Sequence, residues 1–245
     1  MAPDRLTRIL SQLAATGADG WSSAHLCEVF PGIVGVHGAG IMLMSGDIRR
    51  GSLGATNDVS RLIEDLQFDL GEGPCVDAYL QERVVAEPDL AHPASRRWPA
   101  FTPPVLKAGV GAIFGFPLRV SEIRLGALNL YRESPGPLSE DQLADALVLA
   151  DVAATWALEA QAGAAPDTVA EALEVGADFH PRVHNAAGMV SIQIGVSVNE
   201  ALIRLRGYAF AHGRLLADVA EDVVARRLRF DDASGFQPGS PGRSG

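Results

Sequence analysis

The sequence predicts an α+β protein: an N-terminal antiparallel sheet flanked by helices, then a connecting helix, then a C-terminal three-helix bundle. Three observations predict it. Between Gly35 and Tyr131 apolar residues fall in short runs punctuated by Gly and Pro, the texture of strands and turns. From Ser139 onward they recur at three and four residues, the spacing of helices. Charge also divides the chain: residues 1–178 hold twelve Arg and Lys against twenty-four Asp and Glu, whereas residues 179–230 hold seven Arg against four acidic residues. With 245 residues, 47% hydrophobic and 20% charged, the chain can bury a sizeable core in one large domain or two modest ones.

Residues 4–16 read as an amphipathic helix, started by Pro3 and Asp4 and carrying Leu6, Ile9, Leu10 and Leu13 at helical spacing. A second helix runs from Ser22 to Phe30 and stops at Pro31-Gly32. Gly38 to Met44 reads as a buried strand, with Ile48 to Thr56 as its hairpin partner across Ser45-Gly46-Asp47. Val59 to Leu66 is a helix whose apolar face holds Leu62, Ile63 and Leu66. The turn Gly71-Glu72-Gly73 leads into a short helix at Pro74, a residue suited to a first helical position. Val84 to Ala86 is a strand and Val105 to Ala108 lies in a helix. Ala112 to Leu118 and Ile123 to Tyr131 are the clearest strands, the second with Ile123, Leu125 and Ala127 on one face, as in a half-exposed antiparallel strand. This element order favours an antiparallel sheet over a doubly wound parallel one.

A long helix follows, with Ser139 as its cap and Glu140 and Asp141 in its first turn. Its residues Leu143, Leu147, Ala150, Ala154 and Ala157 form a heptad-like seam that either pairs two chains into a homodimer or docks the helix on the sheet. Gly163 to Pro166 breaks the helix, and Val169 to Val175 is a further helical patch. From His180 the pattern is wholly helical. Val183, Ala187, Val190 and Ile194 form the first stripe, Ser197 to Glu200 is a capping box opening the second helix, and Gly213 closes it. The third helix carries Leu216, Val219, Ala220, Val223 and Val224. The tail from Asp231, rich in Gly, Ser and Pro, reads as disordered. The expected organisation is an α+β domain with N-terminal helices over 1–137, a connector over 138–178, a helical bundle over 179–230 and a tail over 231–245.

No stretch reaches about 18 uninterrupted apolar residues, which argues for a soluble, cytoplasmic protein. Cys27 and Cys75 are the only cysteines, too few for a disulfide scaffold or a thiolate metal site. There is no His-Glu-x-x-His motif, phosphate-binding glycine loop or nucleophile elbow, so the expectation is a protein that is not an enzyme. The net charge of -10 speaks against nucleic acid, but the basic balance of residues 179–230 reopens that possibility.

Two resemblances sharpen this picture. Val183 to Val190, Gly195-Val196-Ser197, the run Glu200-Ala201-Leu202 with Leu205, Arg206 and Ala209, and the set Leu216, Val219, Ala220, Val223 and Val224 together resemble the ANTAR family of RNA-binding antiterminator domains. One position departs: many members place Lys, Arg or Thr where this chain has Ala187. Asp69 to Ala78, with Val84, Pro88-Asp89-Leu90, Trp98, Gly109, Phe116-Pro117-Leu118 and Leu125 to Tyr131, is similar to GAF sensor domains, of the sort fused to ANTAR in actinobacteria. The resemblance implies a dimeric bundle that binds paired stem-loop RNA, controlling transcription antitermination or translation, under a sensor whose small-molecule ligand and any cofactor are unknown.

On that reading the RNA-binding candidates are Arg206, Arg204, Arg214, Arg226 and Arg227 for phosphates, with Tyr208 and His184 for base stacking or, alternatively, packing. Cys75, at a helix N-terminus, is a redox candidate or a buried small hydrophobe. Glu72 either orients a ligand or ties down its glycine turn. The alternatives are a DNA-binding regulator whose bundle is a helix-turn-helix, and a redox sensor or enzyme using Cys75.

Overall fold

The computed structural model describes residues 2–16, 22–45, 48–92, 97–163, 178–179, 181–230 and 237–238. The chain divides into two compact units, Met1–Phe179 and His180–Gly245.

The first unit contains helices α1 (Ala2–Thr16), α2 (Ser23–Val34), α3 (Asp58–Leu70), α4 (Pro74–Gln81), α5 (Thr102–Lys107) and α6 (Glu140–Gly163). Its strands are β1 (Gly38–Ser45), β2 (Ile48–Ala55), β3 (Val85–Glu87), β4 (Ala112–Val120), β5 (Ile123–Arg132) and β6 (Asp178–Phe179). They form one antiparallel sheet in the order β3-β4-β5-β1-β2-β6.

Alternation along the strands gives the sheet two buried faces. Ala39, Ile41 and Leu43 of β1, Phe114, Phe116 and Leu118 of β4, and Leu128 and Leu130 of β5 share one apolar core with Ile9 and Leu13 of α1, Leu26 and Phe30 of α2, and Leu149 and Ala153 of α6. Each large side chain buried there contributes roughly 1.5–3 kcal/mol. The opposite face is covered by α3 against β1 and β2 and by α4 against β4 and β5.

Several expectations are corrected. The second helix does not stop at Pro31: Pro31 lies inside α2, which ends at the left-handed Gly35, whose N–H donates to the Pro31 carbonyl. Strand β5 is not half-exposed. It lies between β4 and β1, so Leu125 through Tyr131 are buried on both faces while Ile123, near the hairpin end, is exposed. In α3 the buried face is Ser60, Ile63, Glu64, Gln67 and Phe68, whereas Leu62 points to solvent and Leu66 is half-buried. The seam of α6 splits: Ala150, Ala154 and Ala157 are buried in the unit's core, and Leu143 and Leu147 are exposed. Helix α6 is therefore part of the first unit's core rather than a free connector, and Asp178–Phe179 adds a further edge strand. The helical patch expected over Val169 to Val175 and the break expected at Ala164 to Pro166 lie outside the described residues.

The second unit holds three helices, α7 (Pro181–Ile194), α8 (Val198–Ala211) and α9 (Leu216–Val224). They bury Val183, Ala186, Ala187 and Val190 against Leu202, Leu205, Val219, Ala220 and Val223. Ser197 accepts the Glu200 N–H and caps α8, but the reciprocal half of the capping box is replaced, since the Glu200 carboxylate pairs with Arg204 at 2.9 Å. The pattern after His180 is not wholly helical either. Leu228–Arg229 (β7) pairs antiparallel with Gln237–Pro238 (β8), so part of the expected disordered tail is ordered; the rest of 231–245 lies outside the described residues.

Candidate functional site

In the first unit the polar groups converge where α3 and α4 meet the sheet. Asn57 caps α3 by accepting the Ser60 N–H at 2.9 Å, which fixes the helix start and turns Ser60, Glu64 and Gln67 inward at one-turn spacing. The facing positions are glycines. A Cβ on Gly38 would lie 2.5 Å from Ser60 Oγ, one on Gly40 2.5 Å from Glu64 Oε1, and one on Gly73 2.5 Å from the Gln67 side chain. Gly40 and Gly115 both pair with Asn129 of β5, so a single buried amide stands between two bare strand backbones.

Gln67 Oε1 accepts the Cys75 N–H at 2.8 Å and so anchors the N-terminus of α4. Gln67 Nε2, both Glu64 carboxyl oxygens, Asn129 Oδ1 and Ser60 Oγ are fully buried without a hydrogen-bond partner. Burial pushes the Glu64 carboxyl up to about 8; the Asn129 amide opposes that rise and the neighbouring Asp65 adds to it. Hydrophobic periodicity missed this stripe, because it selects the apolar residues Leu62, Ile63 and Leu66 and passes over Glu64 and Gln67. The signal that could have found it is the glycine spacing of β1.

Cys75 is fully buried, and burial pushes its thiol well above the ordinary value, so the structure gives it the packing role rather than that of a reactive thiolate. Cys27 is buried likewise. Glu72 fastens its turn: one carboxylate oxygen accepts the N–H groups of Ala100 at 3.0 Å and Phe101 at 3.3 Å. Asp77 repeats the device by accepting from Trp98 Nε1 and Arg97. A separate shallow apolar groove lies between Leu6 and Leu10 of α1 and Val152 and Trp156 of α6.

In the second unit the expected RNA-binding residues fare differently. Arg206 is 8% exposed and lies in the helix packing, so it is not a surface contact. Ala187 is fully buried, so the departure at this position alters the core rather than the surface. Arg204 is exposed and paired with Glu200, Arg214 and Arg227 share Asp222 at 2.7 Å each, and Arg182 pairs with Glu221. Arg226 and Arg229 are exposed. His184 is half-buried on α7. Tyr208 stacks on His212 with centroids 4.0 Å apart and meets Phe230 edge-on at 5.6 Å. That contact brings the segment carrying Arg226, Arg227 and Arg229 beside the aromatic stack, and Phe210 on the same helix is 67% exposed.

A family model described as GAF domain matches residues 24–155, more than half of the chain. The chain belongs to the GAF domain family. It is similar to the GAF domain of a phosphoenolpyruvate-protein phosphotransferase from Acinetobacter, at 15% identity over 65% of this chain and 94% of that one, with a TM-score of 0.48. It is also similar to the GAF domain of a phosphoenolpyruvate-protein phosphotransferase from Coxiella burnetii, at 14% identity over 65% and 96%, with a TM-score of 0.48. No curated protein matches the chain. A GAF sensor domain supports a signalling or regulatory role. Among the described residues no single helix is long and apolar enough to cross a membrane.

Proposed function

We propose that the protein is a non-enzymatic regulator in which the GAF unit senses a small molecule and the second unit, an ANTAR-like three-helix bundle acting as a homodimer, binds stem-loop RNA to control antitermination or translation. The observation that carries the output half is the Tyr208–His212 stack beside the exposed arginines of 226–229. Unpaired RNA loops are held by stacking on aromatic rings, while cations around them bind phosphate. The resemblance of 183–224 to RNA-binding antiterminator domains supports the same reading, as does the basic balance of residues 179–230. Burial of Arg206 moves the phosphate contacts to Arg226, Arg229 and the Arg214–Arg227 pair.

The test is a gel shift of the full chain with a paired stem-loop RNA at two salt concentrations, beside duplex DNA and an Arg226→Ala, Arg229→Ala double variant. With about three phosphates contacted, a fourfold rise in salt weakens binding roughly twentyfold. The double variant loses most of the affinity and flattens that dependence. Equal binding of duplex DNA, or an unchanged double variant, refutes the proposal.

A further inference from the structure

The stripe under α3 contains an imbalance that protein groups do not correct. Glu64 offers two carboxyl oxygens and Asn129 one amide oxygen, all buried and unpartnered, against two unpartnered groups that can donate, the Ser60 hydroxyl and Gln67 Nε2; the Asn129 amide, a neutral group, favours the charged form of Glu64. Buried polar groups are nearly always satisfied, so a concentration of five such atoms on one helix face and the strand below it marks a place where something else supplies the hydrogen bonds. Among the described residues the charged or titratable groups acting on Glu64 are Asp65 on its own helix and the thiols Cys27 of α2 and Cys75 of α4, and none of these is a cation. Gly40, by lacking a side chain, leaves the carboxyl resting on bare backbone. Once Glu64 is ionised, the complement it lacks is a positive charge that carries N–H donors.

We infer that Glu64, Asn129 and Gln67 form the binding site of a small organic cation bearing N–H groups, an ammonium or guanidinium head, with Glu64 as its counter-ion and the Asn129 oxygen as a second acceptor. Gln67 Nε2 is then free to donate to an oxygen on the same ligand. Binding exchanges one proton for one cation: the Glu64 carboxylic acid releases its proton to solvent, and the carboxylate left behind accepts the ligand's N–H bonds. The inference rests on reading the GAF unit as the sensor and names what it senses. Asn57 and Gln67 tie the two ends of α3 to His37, just ahead of β1, and to α4, so an occupant of the stripe bears on both helices that cover this face.

The experiment uses the full chain and methylguanidinium chloride, with tetramethylammonium chloride, which has the charge without N–H groups, and sodium chloride at equal ionic strength as controls. All three tryptophans, Trp21, Trp98 and Trp156, lie in the first unit, so their fluorescence reports its melting alone. Methylguanidinium is expected to raise the melting temperature where the two controls do not. Its dissociation constant falls about tenfold per pH unit up to pH 8 and levels off above, with one proton released per ligand by calorimetry in two buffers. Glu64→Gln abolishes the effect. Should that variant not fold, the proton count and pH slope of the natural protein decide the matter alone. Equal shifts from tetramethylammonium, a retained effect in Glu64→Gln, a pH-independent affinity, or no shift at pH 8.5 overturns the inference. RNA binding is scored on the same preparations: RNA bound with methylguanidinium silent removes only the ligand class, and the reverse result removes only the RNA output.

Discussion

Glu64→Gln offers a stability measurement whose sign and size follow from burial. The carboxyl has an unfolded-chain value of 4.5 and a folded value of about 8. Because the folded value is raised, the unfolded chain gives up its proton first. The contribution of this group is therefore complete below pH 4.5 and is lost as pH rises toward 8. At about 1.4 kcal/mol per pH unit, the interval carries roughly 5 kcal/mol. That is a large share of the 5–15 kcal/mol that holds a typical domain together. For a unit of this size it corresponds to roughly 10–20 °C in melting temperature. Glutamine keeps the shape and cannot ionise, so the difference between the two proteins cancels every other titration. Followed by tryptophan fluorescence, the variant should melt within a few degrees of the natural protein at pH 5 and well above it at pH 8.5. A difference that stays constant across that range would refute the argument, because it would mean that Glu64 is hydrated or paired in solution.

Two further perturbations test the remaining contacts. Glu72→Ala strips the acceptor from the N–H groups of Ala100 and Phe101 and should cost about 1–3 kcal/mol, seen as a lower melting temperature at the same tryptophans, with Glu72→Gln recovering part of the loss. Asp222→Ala removes a half-buried carboxylate that holds Arg214 and Arg227; exposed pairs of this kind contribute under about 1 kcal/mol, so stability should barely move. RNA affinity should rise severalfold with a steeper salt dependence as both guanidiniums are released, and weaker binding would count against that surface as the RNA face.

The elements with strong local chemistry were legible in the chain. The Gly-rich turn into Pro74, the hairpin of β4 and β5, and Ser139 and Ser197 as helix caps all depend on neighbours a few residues away. What the sequence hid depends on contacts across the fold. The burial of Glu64 and Gln67 follows from glycines more than twenty residues distant on β1 or across a turn, so helical periodicity assigns the face of α3 to Leu62, Ile63 and Leu66, of which Ile63 alone is buried. Pro31 sits in α2 because that helix is held on both sides by core residues, which offsets the lost hydrogen bond. The site in the second unit shows the same limit. An arginine at helical position 206 reads as surface until its helix is packed, and the stack of Tyr208 on His212 needs only the one-turn spacing that the sequence already contains.

The glycines beneath α3 carry a consequence for how such a chain can change over generations. Each is matched to side chains above it: Gly38 to Ser60 and Tyr131, Gly40 to Glu64 and Gly73 to Gln67. A larger residue at any of the three collides with its partner, and a larger partner collides with the strand or turn below it, so neither member can drift alone. Lineages that abandon the glycine must shrink or move the polar residue in the same step, and those that keep the carboxyl must keep position 40 bare. The pairs should therefore be inherited as pairs, and a descendant that has lost one half identifies itself as having given up whatever the stripe holds.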